Sequence, residues 1–513
     1  MGRINAGHAG QIQDTLMLKI YHSGEIQNSK SWLTKSLVLL GVALAACSPA
    51  SETQLEPQTQ TKAQTSKQTD KPNVVFILVD DMGFGDVGYN GGEIATPNLD
   101  KMAQSGTVLD RNYVYPICSP TRAALMTGRS PFEFGVDAPI SNEHSLPLDT
   151  KIMPEYFSDL GYQTALVGKW HLGIGRKSFF PHNRGFDYFY GFLGGWIDFY
   201  THTYDEGLDW QRNGESVREE GYATDLLTAD AKRVITSRET DKPLFLYLSY
   251  NSPHFPLQIT PRESGLNLDV EAGDRRVYAE MVTDMDAAVG DIINTLKAEG
   301  IYDNTILIFS SDNGGAPEYS TNRTNAPLRG SKGLALEGGI RVPGLMSWPD
   351  KLEGGKTLDQ MVVVHDWLPT LLDAIGGNPQ DIEKPYGQSM WSAIESGDII
   401  NRKPTVIGAI GTTAVFDGSW KLTEYKQRGP NGKTVTELYN VELDPTETND
   451  LKSAEPEIFS RLIDMKNALP RAESIRSRGP RPTPYFKNKD GEGWDYNIRI
   501  EEARDPWAES AKE

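Results

Sequence analysis

The sequence predicts an α/β protein in which a large mixed, mainly parallel sheet is sandwiched between helices. A smaller C-terminal α+β unit containing an antiparallel sheet is expected beside it. From Asn73 onward, short apolar runs alternate with helical patterns, which is typical of βα units around a buried sheet. After about residue 377 this rhythm weakens. The chain of 513 residues also exceeds the roughly 250–300 residues at which a single core stops growing, so we expect one dominant domain and a second unit.

Four apolar runs are the clearest strands of the predicted sheet. They cover residues 74–79, 165–167, 244–248 and 306–309. Polar residues follow each run at once: Asp80 and Asp81, residues 169–171, residues 251–254, and Asp312 with Asn313. Open α/β sheets bind ligands beyond the carboxyl ends of their strands, so we expect these four groups to meet at one edge.

Other patterns predict helices and a second sheet. Residues 278 to about 298 are predicted as a helix, because Met281 and Met285 lie on one apolar stripe and Gly300 ends the pattern. The predicted C-terminal elements are strands at 406–410, 420–425 and 437–441 and a covering helix at 455–469. We therefore place the main α/β domain at residues 73–377 and the C-terminal α+β subdomain with its tail at residues 378–513.

Residues 1–47 are predicted as a signal peptide. Lys30 and Lys35 precede an apolar run at residues 36–46, whose length suits a signal-peptide core and is too short to span a bilayer. The run ends in Leu-Ala-Ala-Cys47, which resembles the lipobox of bacterial lipoproteins. The alternative is an ordinary secretory peptide with an incidental cysteine.

A flexible linker is predicted to follow. Residues 48–72 contain no aromatic residue and are rich in Ser, Thr, Gln, Pro and Lys, so they cannot bury enough surface to offset the entropy of ordering. We expect an exported protein, either periplasmic or anchored to the outer membrane. A membrane is expected as a partner only through the lipid on Cys47.

The protein has a formal net charge of −19 at pH 7. This charge gives no indication of a nucleic-acid partner, and it would repel an anionic substrate unless the site concentrates Lys, Arg or a metal ion. The two cysteines, Cys47 and Cys118, lie in such different surroundings that a disulfide between them is not expected.

The segment Cys118-Ser-Pro-Thr-Arg122 is the most specific in the chain. Pro120 suits the first turn of a helix, and Gly128 can end that helix. Cys118 is therefore expected at a helix N-terminus, where free N–H groups and the helix dipole favour an anion. The alternative is a buried, inert cysteine, which is the commonest role of an isolated thiol.

Cys-x-Pro-x-Arg followed by Thr-Gly-Arg closely resembles the signature of the formylglycine-dependent type I sulfatases, which belong to the alkaline phosphatase superfamily. Further motifs in order extend the resemblance over about residues 73–451. They include Asp80-Asp-Met-Gly-Phe-Gly-Asp86, Gly168-Lys-Trp-His-Leu-Gly173, Asp312-Asn-Gly-Gly315, Leu328-Arg-Gly-Ser-Lys332 and Glu337-Gly-Gly-Ile-Arg341. Several spaced motifs are more specific than any one of them, and no core position departs from the pattern.

The resemblance implies that a formylglycine-generating maturation enzyme oxidises Cys118. One hydroxyl of the hydrated aldehyde then attacks sulfur, the ester oxygen leaves, and sulfate is expelled as the aldehyde forms again. A serine or thiolate nucleophile would give a stable ester or thiosulfate instead. The resemblance also assigns roles to the other motif positions: Arg122 holds the hydrate, Lys169 and Lys332 contact sulfate oxygens, His171 takes the proton during sulfate elimination, and His254 assists the leaving oxygen.

Asp80, Asp81, Asp312 and Asn313 provide a ligand set made only of oxygen. Such a set suits a hard cation such as Ca²⁺ or Mg²⁺ better than Zn²⁺. A single Asp-Asp pair is more often a turn or a helix cap, but two polar pairs that each end an apolar strand favour a metal site. The resemblance implies one calcium ion, with the modified residue at Cys118 as a further ligand.

The substrate expected from the resemblance is a sulfated carbohydrate. Residues 168–191, with Arg-Gly-Phe-Asp at 184–187, resemble the arylsulfatase B, or N-acetylgalactosamine-4-sulfatase, branch. This implies a galactose- or N-acetylgalactosamine-4-sulfate in a polysaccharide such as carrageenan. Aromatic residues between 176 and 204, including Trp196, are candidates for stacking on sugar faces, although core packing explains most of them equally well.

Two alternatives stay open from the sequence. A phosphodiesterase or phosphonate hydrolase of the same superfamily would use a similar metal and nucleophile, although Lys332 and the Gly-Lys-Trp-His motif favour a sulfatase. A surface lipoprotein that binds glycans without catalysis would have a disabled site, whereas here every core position is filled. A serine hydrolase is disfavoured because the sequence contains no Gly-x-Ser-x-Gly motif.

Overall fold

The computed structural model describes residues 71–140, 144–204, 207–262, 264–317, 324–427, 432–475 and 494–495. These residues belong to one compact unit, Thr65–Glu513. The predicted signal peptide, the lipobox at Cys47 and the linker up to residue 70 lie outside the described residues. Within the described part, none of the helices combines the length and the apolar character that crossing a membrane requires.

The strands in chain order are β1 (Asn73–Val79), β2 (Thr107–Leu109), β3 (Asn112–Tyr113), β4 (Gln163–Lys169), β5 (Tyr188–Phe192), β6 (Thr203–Tyr204), β7 (Gly207–Leu208), β8 (Gln211–Arg212), β9 (Glu215–Ser216), β10 (Leu244–Ser249), β11 (Thr305–Ser311), β12 (Gly344–Ser347), β13 (Lys356–Leu358), β14 (Val362–Val363), β15 (Thr405–Ala409), β16 (Thr412–Asp417), β17 (Trp420–Lys426), β18 (Thr434–Asn440) and β19 (Trp494–Asp495).

The α-helices are α1 (Pro97–Ser105), α2 (Cys118–Thr127), α3 (Met153–Asp159), α4 (Ala223–Thr236), α5 (Asp274–Ala298), α6 (Glu337–Ile340), α7 (Trp367–Ala374), α8 (Trp391–Ser396) and α9 (Pro456–Ala468). Short 3₁₀ helices span Phe84–Asp86, Gly88–Asn90, Pro131–Phe134, Lys177–Phe179, Pro181–Asn183, Val364–Asp366 and Pro379–Asp381.

In the described chain, the large sheet has the strand order β13-β2-β12-β11-β1-β10-β4-β5-β8-β9. Its centre is parallel, because β1 pairs in parallel with both β10 and β11, and β4 and β5 continue in the same direction. The sheet is mixed because β12 runs antiparallel to β11. The predicted α/β fold class is confirmed, and the carboxyl ends of β1, β4, β10 and β11 meet at one edge.

Residues of β1 alternate between two hydrophobic cores, one on each face of the sheet. Even-numbered residues from 74 to 78 pack in the core that includes residues of α2, α3 and α7. Odd-numbered residues from 75 to 79 pack in the core that includes residues of α1, α4 and α5. Because both faces are covered by helices, the strand is a continuous apolar run with no polar alternation.

Helix α5 begins at Asp274, one turn before the predicted start, and ends at the predicted Ala298. Met281 and Met285 are fully buried in the core, as their stripe predicted. Gly300 has φ 68°, a left-handed conformation that glycine adopts without a steric cost from Cβ. The glycine therefore explains why the helix ends there.

The C-terminal sheet is antiparallel, in the order β15-β16-β17-β18, and α9 packs against β16 and β17. An antiparallel sheet of this kind was predicted, but β16 was not. Residues 412–416 of this strand are all buried, so its sequence shows no alternation of polar and apolar residues. The domain boundary at residue 377 stays a prediction.

Candidate active site

Helix α2 carries Cys118 as its first residue. The chain is extended at Ile117, with φ −154°, and the helix ends where Gly128 adopts φ 64° and its N–H donates to the Ala124 carbonyl. Cys118 is a free thiol with 4% of its surface exposed. The structure therefore places this side chain inside the protein at a helix N-terminus, where an anion is favoured.

Arg122 lies one turn further along α2 and joins this helix to the sheet edge. Its Nε and Nη2 donate to Oδ2 of Asp312 at 3.0 and 2.8 Å. Its Nη1 donates to Ser249 Oγ at 2.6 Å and to the Lys169 carbonyl at 3.2 Å. These bonds hold the guanidinium against the ends of β4, β10 and β11.

Two paired strands supply the predicted oxygen ligands. Asp80 and Asp81 follow β1, Asp312 and Asn313 follow β11, and the two strands pair through their last residues. Asp81 has φ 67°, a left-handed conformation that aspartate tolerates better than most residues. Its carboxylate lies next to β11, because Asn313 Nδ2 donates to Asp81 Oδ1 at 2.7 Å.

Two lysines from other segments reach the same carboxylates. Lys169, the last residue of β4, places its Nζ 2.6 Å from Asp80 Oδ2. Lys332 places its Nζ 2.5 Å from Asp81 Oδ1. Each aspartate is therefore paired with its own lysine through one oxygen, and the other oxygen is left for a different partner.

Three oxygens of this cluster are buried and have no hydrogen-bond partner among the described residues. They are Asp80 Oδ1, Asp81 Oδ2 and Asn313 Oδ1. A buried oxygen without a donor is costly unless a cation lies beside it. Ligand atoms of Asp80, Asp81 and His254 also lie within 4.8 Å of one another. The donor set therefore fits a hard divalent cation.

Negative charge is crowded where these strands end. Burial raises the pKa of Asp312, and the neighbouring Asp80 raises it further. Burial also acts to raise the pKa of Asp81, but Lys332 and His254 outweigh it, and the pKa lies below its usual value. A cation bound among these carboxylates would relieve the repulsion between them.

His171 follows β4 in a left-handed turn, with φ 56°. Its carbonyl accepts a hydrogen bond from Ser119 Oγ at 3.0 Å, which ties it to α2. Its ring lies against Gly195, where a Cβ atom would be 2.9 Å from Nε2. Burial, together with the charge of Lys169, holds the pKa of His171 well below its usual value. The ring is therefore neutral and able to accept a proton.

His254 approaches the cluster from the segment after β10. Its Nδ1 lies 2.9 Å from the Phe255 carbonyl, and its Nε2 lies 3.6 Å from Asp81 Oδ2. Burial lowers the pKa of His254, and the adjacent Asp81 acts in the opposite direction. The Nδ1 contact orients the ring so that Nε2 faces the carboxylates.

The Cys118 thiol is a poor nucleophile in this environment. Burial raises its pKa, although Lys169 and Lys332 act to lower it. Thiols react as thiolates, so an unmodified Cys118 is protonated and weakly reactive at neutral pH. The structure thus gathers all of the predicted site residues into one cluster, while their roles stay predictions.

A profile of the sulfatase family matches residues 72–377 of the chain. The chain belongs to the sulfatase family. It is a type I sulfatase, and therefore a sulfuric ester hydrolase, as its motifs predicted. It is 35% identical over 449 residues to arylsulfatase J of Mus musculus, an alignment that covers 77% of this chain and 75% of that protein.

Solved structures extend the similarity. The crystal structure of Ps i-CgsB in complex with k-i-k-neocarrahexaose is 32% identical with a TM-score of 0.71, covering 79% of this chain and 94% of that chain. The crystal structure of PsFucS1 sulfatase from Pseudoalteromonas sp. is 26% identical with a TM-score of 0.68, covering 78% of this chain and 90% of that chain. This sulfatase is therefore similar both to arylsulfatases and to bacterial polysaccharide sulfatases.

Sequence reasoning missed several residues that support the sulfatase site. Ser249 accepts a hydrogen bond from Arg122. Its position at the end of a predicted strand could have indicated that it lies at the site. Gly195 leaves room for a histidine ring, which only the folded structure reveals. Asp209 accepts hydrogen bonds from the N–H groups of Leu193 and Gly194 at 2.9 and 2.7 Å, and so holds the loop beneath that ring.

Proposed function

We propose that this sulfatase acts on a sulfated carbohydrate, namely a galactose- or N-acetylgalactosamine-4-sulfate in a polysaccharide such as carrageenan. The observation that carries the sulfate ester part of this proposal is the cluster of positive charge around Cys118, in which Arg122 and Lys169 are buried and Lys332 is partly exposed. In a protein of net charge −19, such a concentration of positive charge is needed to hold a sulfate group. Similarity to Ps i-CgsB, solved with a neocarrahexaose, supports a carbohydrate substrate.

Residue 118 is proposed to act as formylglycine, formed from Cys118 by a maturation enzyme. The hydrated aldehyde would supply the hydroxyl that attacks sulfur and would then release sulfate by forming the aldehyde again. The raised pKa of the thiol supports the need for this modification. Arg122, one turn away on the same helix, would hold the hydroxyl, and Lys169 and Lys332 would hold sulfate oxygens.

One calcium ion is proposed to bind Asp80, Asp81, Asp312, Asn313 and the modified residue 118. The unpartnered oxygens of three of these side chains support the site. When bound, the ion would polarise the sulfate group and lower the pKa of the attacking hydroxyl. A chelator is expected to abolish sulfate release and to lower the melting temperature, and added Ca²⁺ should restore both. Full activity of protein shown to be metal-free would contradict this assignment.

The two histidines are proposed to move protons at different stages. His254 would donate from Nε2 to the leaving oxygen, since the negative charge of a bound sulfate ester would raise the pKa of His254 and favour its charged form. His171 would accept the proton from residue 118 as sulfate leaves, because burial keeps its ring neutral. These roles require His254 to be protonated in the substrate complex while His171 stays neutral.

Sulfate release from defined glycans tests the substrate. Matured protein would be incubated with sulfated monosaccharides, oligosaccharides and polysaccharides, and free sulfate would be measured. We expect the fastest release from 4-sulfated galactose or N-acetylgalactosamine. Cys118→Ala is the matched control, because it removes the precursor of the nucleophile. Release from nitrophenyl sulfate alone, with none from any carbohydrate, would contradict the proposed substrate class.

The alternatives make different predictions. Parallel assays with aryl sulfate and aryl phosphate esters test for a phosphodiesterase or phosphonate hydrolase, and we expect a strong preference for the sulfate. Glycan binding by matured protein without any turnover would instead support a non-catalytic lipoprotein.

We also propose that the protein is exported and anchored through a lipid on Cys47, with a periplasmic or outer-membrane location. The charged, apolar and Leu-Ala-Ala-Cys segments support this. Cys47→Ala should move the protein from the membrane fraction to the soluble fraction of cells. Unchanged membrane association would contradict lipidation at Cys47.

A further inference from the structure

An aromatic pair borders the site next to both histidines. The rings of Trp196 and Phe255 have centroids 5.2 Å apart, and both residues are partly exposed. Phe255 directly follows His254, and these two rings are 4.4 Å apart. Trp196 directly follows Gly195, which packs against the ring of His171. We refer to Trp196 and Phe255 together as the aromatic platform.

The two loops that carry the platform are tied to each other. Gln258 Oε1 accepts a hydrogen bond from the Phe199 N–H at 2.8 Å, and Gln258 Nε2 donates to Asp198 Oδ2 at 2.8 Å. Tyr200 Oη donates to the Ile259 carbonyl at 2.6 Å. These hydrogen bonds join the two loops a few residues beyond Trp196 and Phe255, and so hold the two halves of the platform together.

Two adjacent exposed aromatic rings beside a site suit an occupant with an apolar face. If His254 donates a proton to the leaving oxygen, the group that carries this oxygen must lie beside it, next to Phe255. The C–H groups on one face of a pyranose ring pack well against aromatic faces. In galactose, the axial 4-oxygen projects from the opposite face, so stacking leaves a 4-sulfate free to enter the site.

We propose that the aromatic platform binds the C–H face of the pyranose ring that carries the scissile sulfate. Trp196 and Phe255 are then specificity residues for sulfated galactosides, and this role rests on the proposed carbohydrate sulfatase function. The anion contacts come from the lysine and arginine cluster, whereas the sugar contacts come from the platform. Loss of the platform should therefore weaken sugar binding and leave sulfate binding intact.

The kinetics of platform variants test whether sugar contacts and sulfate contacts come from different residues. The substrate is a carrageenan oligosaccharide with 4-sulfated galactose, and inorganic sulfate serves as an inhibitor that probes the anion contacts alone. We expect Trp196→Ala and Phe255→Ala each to raise KM about tenfold, which corresponds to loss of one aromatic stacking contact. Trp196→Phe should stay within about threefold of wild type. The inhibition constant of sulfate should change less than about twofold in all three.

Trp391→Ala is the matched control. Trp391 is also partly exposed and packs on another aromatic ring, with its centroid 5.5 Å from that of Trp348. Trp348 follows β12, which runs antiparallel to β11, so this pair lies at the opposite edge of the sheet. We expect a KM equal to that of the wild type.

Several outcomes would contradict the proposed role of the platform in sugar binding. They are an unchanged KM in Trp196→Ala and Phe255→Ala, an equal rise in Trp391→Ala, or a parallel rise in the inhibition constant of sulfate. Should Trp196→Ala not fold, as judged by thermal unfolding, Phe255→Ala and Trp196→Phe decide the question. If the wild-type enzyme releases sulfate from no carbohydrate, the proposed function fails before any variant is made, so the two failures are distinguishable.

Discussion

The guanidinium of Arg122 donates two hydrogen bonds to the same oxygen of Asp312, at 3.0 and 2.8 Å, and neither side chain is exposed. Arg122 lies on the helix that begins with Cys118, and Asp312 follows β11. The pair therefore fixes the position of residue 118 relative to the carboxylates at the sheet edge. Buried pairs of this kind are costly to break because one charge is left without a partner.

Arg122→Ala should lower the free energy of unfolding by roughly 3–5 kcal/mol, because it leaves the Asp312 carboxylate buried and unpaired. Urea unfolding monitored by fluorescence measures this change. Lys232→Ala is the control, since both partners of the Lys232–Asp291 pair are partly exposed and its loss should cost less than about 1 kcal/mol. Equal losses in the two variants would show that the buried pair does not organise the site.

Replacement of His254 and replacement of His171 should impair catalysis in different ways. A sugar alkoxide is far more basic than a nitrophenolate, so His254→Ala should reduce turnover of a carbohydrate sulfate about 100-fold more than turnover of nitrophenyl sulfate. His171→Ala should slow both substrates to a similar rate, with a burst of alcohol release. Single-turnover and steady-state rates measure these effects, and His182→Ala, outside the cluster, is the control. Equal losses in His254→Ala on both substrates would exclude its leaving-group role.

Gly195→Ala should displace the His171 ring, because the new Cβ would lie 2.9 Å from both Cε1 and Nε2. We expect turnover to fall about tenfold with little change in melting temperature, since the three atoms nearest to the new Cβ all belong to the His171 ring. A double-mutant cycle checks the cause. In a His171→Ala background, Gly195→Ala should have no further effect, and a second tenfold loss would contradict this explanation.

Asp284, on α5, is buried, and neither of its carboxylate oxygens has a hydrogen-bond partner among the described residues. Burial raises its pKa to about 7, with further increases from Asp225 and Glu280 and an opposing effect of Arg262. Because the folded pKa exceeds the unfolded one, ionisation penalises the folded state. The free energy of unfolding should therefore fall as pH rises from about 4 to about 7, and stay low above that.

Asp284→Asn should remove this penalty. We expect stabilisation at pH 8, with an upper bound of about 4 kcal/mol, and a gain that disappears toward pH 4. Urea unfolding of both proteins across this range is the measurement. A gain that does not change with pH would contradict the assignment of the effect to Asp284 ionisation.

The site residues at the edge of the sheet could be predicted from the sequence, because each lies directly beside a pattern that predicts a strand or a helix. Asp80 and Asp312 each follow a continuous apolar run, and Cys118 precedes a proline that suits a first helical turn. Parallel strands then bring these segments to one edge without any further information. The fold class and the clustering of the motif residues could both be predicted in this way.

Features that depend on tertiary contacts could not be predicted from the sequence. The aromatic residues between 176 and 204 could not be assigned to core or site from the sequence, because Phe199 is fully buried in the core whereas Trp196 is partly exposed beside the site. Aromatic residues only three positions apart thus have different environments. Phe255 contacts Trp196 from the loop after β10, which is distant in sequence. Strand β16 is buried along most of its length and lacks the polar and apolar alternation that predicts a strand.

The conversion of Cys118 to formylglycine can be measured on a single peptide. Trypsin cleaves after Arg111 and Arg122, so residue 118 lies on the peptide 112–122. Mass spectrometry of this peptide would be compared with sulfate release in protein made with and without a maturation enzyme. We expect activity in proportion to the fraction of peptide that carries the aldehyde. Fully active enzyme whose peptide carries only the unmodified thiol would contradict it.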